Sequence, residues 1–365
     1  MTSPTLPHRR LAEQRLAGHP LATAREVVSW VGAMQAQEYP GAAWSLAMRM
    51  DGATAAAVDR AFGAGEIVRT HVMRPTWHFV APADLRWLLE LTAPRVRALL
   101  AFGDRRMEID AAVLGRSHAV LEAALRDGDH LTRPELGAAL ELAGIPAPGL
   151  RLGHLVMHAE LDALLVSGRR RGRQITYSLL DLRAPGGRRL GRDEALAELT
   201  LRYFTGHGPA QPQDFAWWSG LTVSDARRGL AMAGPALVRE EVGGRSFWSS
   251  PGRAVPPAAA GPVVHLLPNY DEYVVAYRDR TDMLDPARGF DTAPFPNGSL
   301  LAHVVVLNGQ VWGGWKRRQA SRRAVVELLA MDAMGPAETA GLERAADGLA
   351  RFLGVPVTVE RGSAT

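Results

Sequence analysis

The chain has 365 residues, 47% of them hydrophobic, and a formal net charge of +4; that length allows two or three domains with real cores. It has no cysteine, which excludes disulfides and thiolate metal sites. No run of 18 apolar residues occurs, which excludes a membrane-spanning helix.

The N-terminus, Met1-Thr2-Ser3-Pro4, lacks a basic-then-apolar leader, so a cytoplasmic protein is expected. The basic charge is nearly all arginine, with Lys316 the single lysine. Arginine suits bidentate phosphate contacts and base stacking better than lysine does. Two runs, Arg169-Arg170-Arg171-Gly172-Arg173 and Lys316-Arg317-Arg318, read as footprints for a polyanion or as solvated faces.

In chain order, the first 250 residues read as one theme used three times: helices, then two strands. In the first unit, helices fit Arg9 to Ala17, Ala24 to Met34 and Thr54 to Phe62. Strand-like runs at Ile67 to Met73 and Thr76 to Val80 are split by Arg74-Pro75. The second of these helices ends in Gln35-Ala36-Gln37, followed by Glu38-Tyr39-Pro40-Gly41. Pro40 disfavours helix at Tyr39, so the helix is expected to fray at the glutamines. In an extended stretch, residues i and i+2 face the same way, and two amides could hold one water. The alternative is a helix C-cap bonding its own turn.

A connector helix of about Pro82 to Leu100 follows. The second unit has helices at Ala111 to Arg126, Arg133 to Ala143 and Leu150 to Ala163, with Thr132 as N-cap and Glu135 three residues on. Its strands are Leu164 to Gly168 and Ile175 to Leu179. The third unit has helices at Asp193 to Phe204, Gln213 to Trp218 and Val223 to Ala233, then a hairpin within Ala236 to Ser249. Gly220 closes one of these helices and Thr222 or Ser224 caps the next.

Three helices plus a β wing is the winged-helix plan. The fold expected is mainly α with β wings: three tandem winged-helix motifs, then a small β-barrel-like domain. Boundaries are expected at 1–100, 101–185, 186–255 and 256–365, the last after a Pro/Ala linker from Pro251 to Pro262. In that last part Val263 to Pro268 reads as a strand. Leu300 to Leu307 and Gln310 to Lys316 read as a hairpin turning at Asn308-Gly309. Arg322 to Met334 and Ala337 to Leu353 read as helices, and Val355 to Glu360 as a strand.

No Walker A loop, dinucleotide G-x-G-x-x-G or G-x-S-x-G elbow is present. His154 and His158 lie four apart on a helix, but the glutamate of H-E-x-x-H is missing. No metal or cofactor is expected. Asp271 and Glu272, as neighbours on a strand, would point opposite ways, so at most one faces a site.

With the glutamines in a winged-helix unit, the chain resembles the AlkZ-like DNA glycosylases, winged-helix proteins related to YcaQ. The marks run the length of the chain. They are Gln35-Ala36-Gln37, the segment Arg69-Thr70-His71-Val72-Met73-Arg74-Pro75-Thr76-Trp77-His78, the block Leu266-Leu267-Pro268-Asn269-Tyr270-Asp271-Glu272-Tyr273, and the late Val311-Trp312-Gly313-Gly314-Trp315-Lys316-Arg317-Arg318.

The resemblance implies a C-shaped, DNA-binding channel, excision of N7-alkylguanine and unhooking of interstrand crosslinks. It implies Gln35 and Gln37 as catalytic, in a Gln–Gln form similar to the branch that protects producers of DNA-alkylating antibiotics. It also implies a hairpin that engages DNA, at the Asn308-Gly309 turn or the Thr281 to Asn297 loop. On charge grounds Arg69, His71, Arg74, Arg169, Arg170, Arg171, Arg173, Arg317 and Arg318 are expected to contact DNA, the alternative for His71, Arg74 and His78 being packing of the wing. Trp77 is expected in the core. Asp271 is a possible site neighbour or a turn residue. The partner expected is double-stranded DNA carrying alkylated guanine or crosslinks, bound by a monomer. The readings from other classes are a non-catalytic DNA-binding regulator and a protein-binding scaffold.

Overall fold

The computed structural model describes residues 5–128, 130–252, 261–284, 302–329 and 334–361. Four readings lie outside them in part: the linker at 253–260, the loop at 285–297, the hairpin start at 300–301, and 330–333 of the Arg322 to Met334 segment.

Helices Leu6–Glu13 and Ala24–Val31 open the chain. Thr23 and Glu26 form a reciprocal capping box on the second, the usual way to satisfy first-turn N–H groups. That helix ends three residues earlier than the sequence suggests. Gly32 takes φ +82, a left-handed conformation open to glycine at little cost. The chain then becomes extended, and Met34–Gln35 is a strand. The Tyr39–Ala47 helix follows at once. Pro40 occupies its first turn, where a missing N–H costs nothing; it starts a helix here rather than ending one.

Helix Ala55–Ala64 leads to an antiparallel hairpin, Val68–Val72 with Arg74–Val80. The Met34–Gln35 strand adds to its far edge, pairing Met34 with Phe79 and Gln35 with His78. The connector helix runs from Leu85 to Arg106, longer than expected. Thr92 on it accepts the Met73 N–H at the hairpin turn, 3.1 Å away.

Helices Ala111–Leu125, Arg133–Leu142 and Gly149–Leu161 then precede the hairpin Leu165–Arg171 with Gln174–Leu179. The Thr132–Glu135 capping box forms as its sequence signature indicates. Helices Arg192–Gly206, Pro212–Ser219 and Val223–Ala233 precede the hairpin Val238–Val242 with Arg245–Ser249.

The C-terminal part departs most from expectation. Among the described residues it is an open five-stranded sheet and not a closed barrel. The spatial order is Val357–Arg361, Arg323–Leu329, Gln310–Ala320, Val304–Leu307, Val264–Leu267. The expected helix at Arg322 to Met334 is a strand over Arg323–Leu329. Ala324, Val326 and Leu328 are buried in alternation, the period of two that marks a strand. Pairing with the long Gln310–Ala320 strand overrides local helix propensity. The Asn308-Gly309 turn joins its two strands as expected. Helix Pro336–Leu353 covers the sheet.

One core cluster joins the first-unit residues Val27, Val31, Leu46 and Phe62 to the sheet residues Leu266, Trp315 and Val326. A separate one, with Leu121, Leu136, Leu140 and Leu155, lies within residues 109–177. The sheet is therefore packed on the unit that carries the glutamines. Among the described residues, no helix is long and apolar enough to cross a membrane.

Candidate active site

Gln35 and Gln37 lie along one edge of the Arg74–Val80 strand. Gln35 pairs with His78. The Ala36 N–H donates to the Trp77 carbonyl at 2.7 Å, and the Trp77 N–H donates to Gln37 Oε1 at 3.4 Å. The stretch is extended, as the frayed-helix reading requires, but its extension comes from strand pairing. The two side chains differ in environment. Gln35 is only 6% exposed, and its Oε1 accepts a hydrogen bond from Arg74 Nη2 at 2.9 Å. Gln37 is exposed.

Behind the motif lies a set of buried charged groups. Arg69 is 6% exposed. Its Nε donates to the Ala36 carbonyl at 2.9 Å and its Nη2 to the Gln37 carbonyl at 3.5 Å. Its Nη1 donates to Ser167 Oγ at 3.4 Å, and the guanidinium stacks 4.4 Å from the Trp77 ring. Burial lowers its pKa to about 10. His71 is buried, bonds Glu160 through Nδ1 and sits 4.2 Å from the Trp77 ring. Arg69 therefore grips the backbone of the motif, while His71 packs against Trp77, the residue whose backbone pairs with it. Arg74 touches Gln35 and lies 3.5 Å from His78 Nε2.

His78 is wholly buried, and its Nδ1 lies 2.9 Å from the Thr76 carbonyl. A carbonyl only accepts, so Nδ1 carries the proton and Nε2 is a lone pair toward Arg74. Burial, then the Arg74 charge, holds the imidazole well below its usual range. His265 is depressed by burial, and His303 is brought down to about 4 by burial and Arg317. For such groups the unfolded chain takes up protons first as pH falls. Stability present above roughly pH 6.5 is thus lost progressively on acidification toward the folded values. Melting temperature should fall between about pH 7 and about pH 5. A constant or rising value across that window would contradict this charge assignment.

Asp271 and Glu272 do not sit on a strand. Tyr270 turns the chain with φ +61, and Asp271 N-caps the short helix Glu272–Val275. Asp271 points into the core, where Arg49 binds both its oxygens at 2.9 Å and Ser45 Oγ donates to it. Burial raises its pKa, but Arg49 and these hydrogen bonds outweigh burial and hold the carboxyl low. Glu272 is the one that meets the motif: its Oε1 accepts the Gln35 N–H at 2.7 Å. Its other oxygen accepts the Trp218 indole N–H at 2.9 Å. Of the two expectations for Asp271, site neighbour or turn residue, its capping of this helix matches the turn residue. The helical turn that aims Glu272 is signalled only by an Asp able to cap it.

The third helical set reaches the same place. Trp218 lies beside Gly220, which takes φ +72 and whose added Cβ would stand 2.2 Å from the Met73 carbonyl. Only glycine allows that approach of helix end to hairpin turn.

Of the arginine runs, Arg170 pairs with Asp59 at 2.7 Å and lies over the Tyr39 ring, so it ties the second hairpin to the first unit. Arg171 pairs with Glu135 at 2.6 Å. Arg169 and Arg173 are exposed. Arg318 pairs with Glu327 and Glu360. Arg317 and Arg318 share a cleft of about 620 Å³ with Lys316, Glu38 and Pro40. The late basic motif therefore stands next to the residue that follows Gln37. His154 and His158 share the carboxylate of Asp104.

The amide pair is thus clasped to a strand edge, one member anchored and one exposed, with buried charged groups behind it. A model of the family described as DNA glycosylase AlkZ-like matches residues 28–352. The chain belongs to that family and is a DNA glycosylase, with DNA as its substrate partner. Among solved structures it is similar to the Streptomyces sahachiroi DNA glycosylase AlkZ. The TM-score is 0.80 and the identity 24%, over 99% of this chain and 100% of that one. At that identity the likeness speaks for the fold. No curated protein matches.

Proposed function

We propose that this enzyme is a monofunctional glycosylase that hydrolyses the N-glycosidic bond of N7-alkylated guanine. Its substrates include bulky natural-product adducts and interstrand crosslinks, which it unhooks in repair or in self-resistance to a DNA-alkylating antibiotic. Gln35 and Gln37 are its catalytic residues. The observation that carries this reading is the placement of two neutral amides, one anchored and one exposed, at the centre of the site.

An N7-alkylated guanine is already cationic, so its glycosidic bond is weak and the leaving base needs no proton. The enzyme has to stabilise an oxocarbenium-like sugar and place a water. Preorganised amide dipoles can do both. Neutral amides are poor bases, so ordinary purines survive. A Schiff-base lyase would need an amine nucleophile, and Lys316 is the single lysine.

In this reading the three helical sets and their hairpins are tandem winged helices, with boundaries near 100, 185 and 255, forming a C-shaped channel used by a monomer. Arg69, His71 and Arg74 serve as supports of the motif, because each is committed to protein groups. The exposed Arg169 and Arg173, with Arg317, are the phosphate contacts, and Arg318, exposed but paired with Glu327 and Glu360, joins them by exchanging those partners for phosphate. Replacing Arg169 and Arg173 with alanine should reduce the slope of log K against log salt by about 2, with melting temperature held. An unchanged slope removes them from the interface.

The direct test is release of 7-methylguanine from methylated duplex DNA, followed by unhooking of a defined crosslink. Release with unhooking supports the full reading; release without it narrows the enzyme to monoadducts. Membership of a glycosylase family sets aside the regulator and scaffold alternatives.

A further inference from the structure

The Glu272 carboxyl is wholly buried, and the chemistry above gives it no task. A buried carboxylate is costly to desolvate unless it is paired and hydrogen-bonded. Here its bonds run to two places that matter. One oxygen receives the Gln35 backbone N–H at 2.7 Å. The other receives the Trp218 indole N–H at 2.9 Å and lies 3.4 Å from His207 Nε2. The side chain of the same Gln35 is held from the other end by Arg74. Arg74 is half-buried there; burial lowers its pKa, and the Glu272 charge is the largest influence opposing that.

A glycosidic bond that breaks toward a cationic sugar is hindered by an uncompensated guanidinium close by. A carboxylate set behind the motif removes that penalty without touching the substrate. It also fixes the backbone of the residue whose amide must be aimed. We infer that Glu272 is a positioning residue for the glutamine pair, which locks the Gln35 backbone and balances the Arg74 charge so that the motif serves a cation-forming reaction. This rests on the reading that Gln35 and Gln37 carry the chemistry.

Trp218 and His207 come from the third helical set, Gln35 and Arg74 from the first, and Glu272 from the segment after the linker. The carboxylate is therefore the point where three separate parts of the chain meet at the motif. Short-range sequence pattern has no means of encoding such a meeting.

The test uses the full-length protein with Glu272→Gln, a near-isosteric loss of charge, and Arg74→Met with and without it. Single-turnover release of 7-methylguanine should fall roughly 10- to 100-fold in Glu272→Gln, with the Kd for DNA unchanged. Because both groups act through Gln35, the double variant should lose little more than the worse single one. The Gln35 amide should exchange with solvent at least about tenfold faster than in wild type, while amides of the Leu85–Arg106 helix keep their rates.

A wild-type release rate in Glu272→Gln overturns the proposal, as do losses that multiply in the double variant or an unchanged Gln35 exchange rate. If wild type releases no 7-methylguanine, the substrate reading fails by itself, and the Gln35 exchange rate alone decides the role of Glu272.

Discussion

Replacing Gln35 and Gln37 together by alanine should lower release of alkylated guanine by about 10³-fold, with DNA affinity held. The size follows from what preorganised polar groups supply at a developing charge, where removing one costs roughly 10²- to 10³-fold. Groups that act as a unit lose most of their effect when either is removed, so each single variant should approach the double. Their stability effects should separate. Gln37 is exposed and held by a single long hydrogen bond, so Gln37→Ala should melt like wild type. Gln35 is itself buried and satisfies a half-buried guanidinium, and its loss should cost about 1–3 kcal/mol. Release rates and melting curves of the three variants check both statements. Full activity in the double variant would remove the pair from the chemistry.

Arg49→Met should destabilise the protein by about 3–5 kcal/mol, the usual consequence of stranding one partner of a buried ion pair. Both side chains are wholly inaccessible, and their separation is 2.9 Å. Arg49 also donates to the Ser45 carbonyl and to Gln14 Oε1, so the loss spreads to the first helix. Asp271 caps the short helix that begins with Glu272. The variant should therefore lose activity as well as melting temperature, because Glu272 and with it the Gln35 backbone are no longer held. Denaturant unfolding and single-turnover release measure the two effects. A stability within about 1 kcal/mol of wild type would show that the pair is dispensable. The Asp271 carboxyl is held low in the fold, so its contribution is present above the ordinary carboxylate range and is lost as pH falls through the folded value.

Much of the architecture was legible because it is local. The capping signals at Thr132–Glu135 and Thr222, the glycine stop at Gly220 and the Asn308-Gly309 turn each act within four or five residues, the range over which backbone hydrogen bonds and φ preferences operate. Reading failed where a distant partner decides the conformation. Arg323–Leu329 is a strand because the Gln310–Ala320 strand is there to pair with it, although its composition also suits a helix. Pro40 opens a helix rather than closing one, since the chain had already turned extended at Gly32 to add Gln35 to the hairpin.

The site divides in the same way. Residue types are a local matter: two glutamines one residue apart, an arginine-rich composition with one lysine, and a family pattern running the length of the chain. Tertiary structure alone decided their duties. It buried Arg69 beneath the motif and His71 against Glu160 and Trp77, and spent Arg170 and Arg171 on ion pairs. It turned Asp271 toward Arg49 and Glu272 toward Gln35. A charged side chain takes its role from the partners that can compensate its desolvation, and those partners lie tens to hundreds of residues away in the chain.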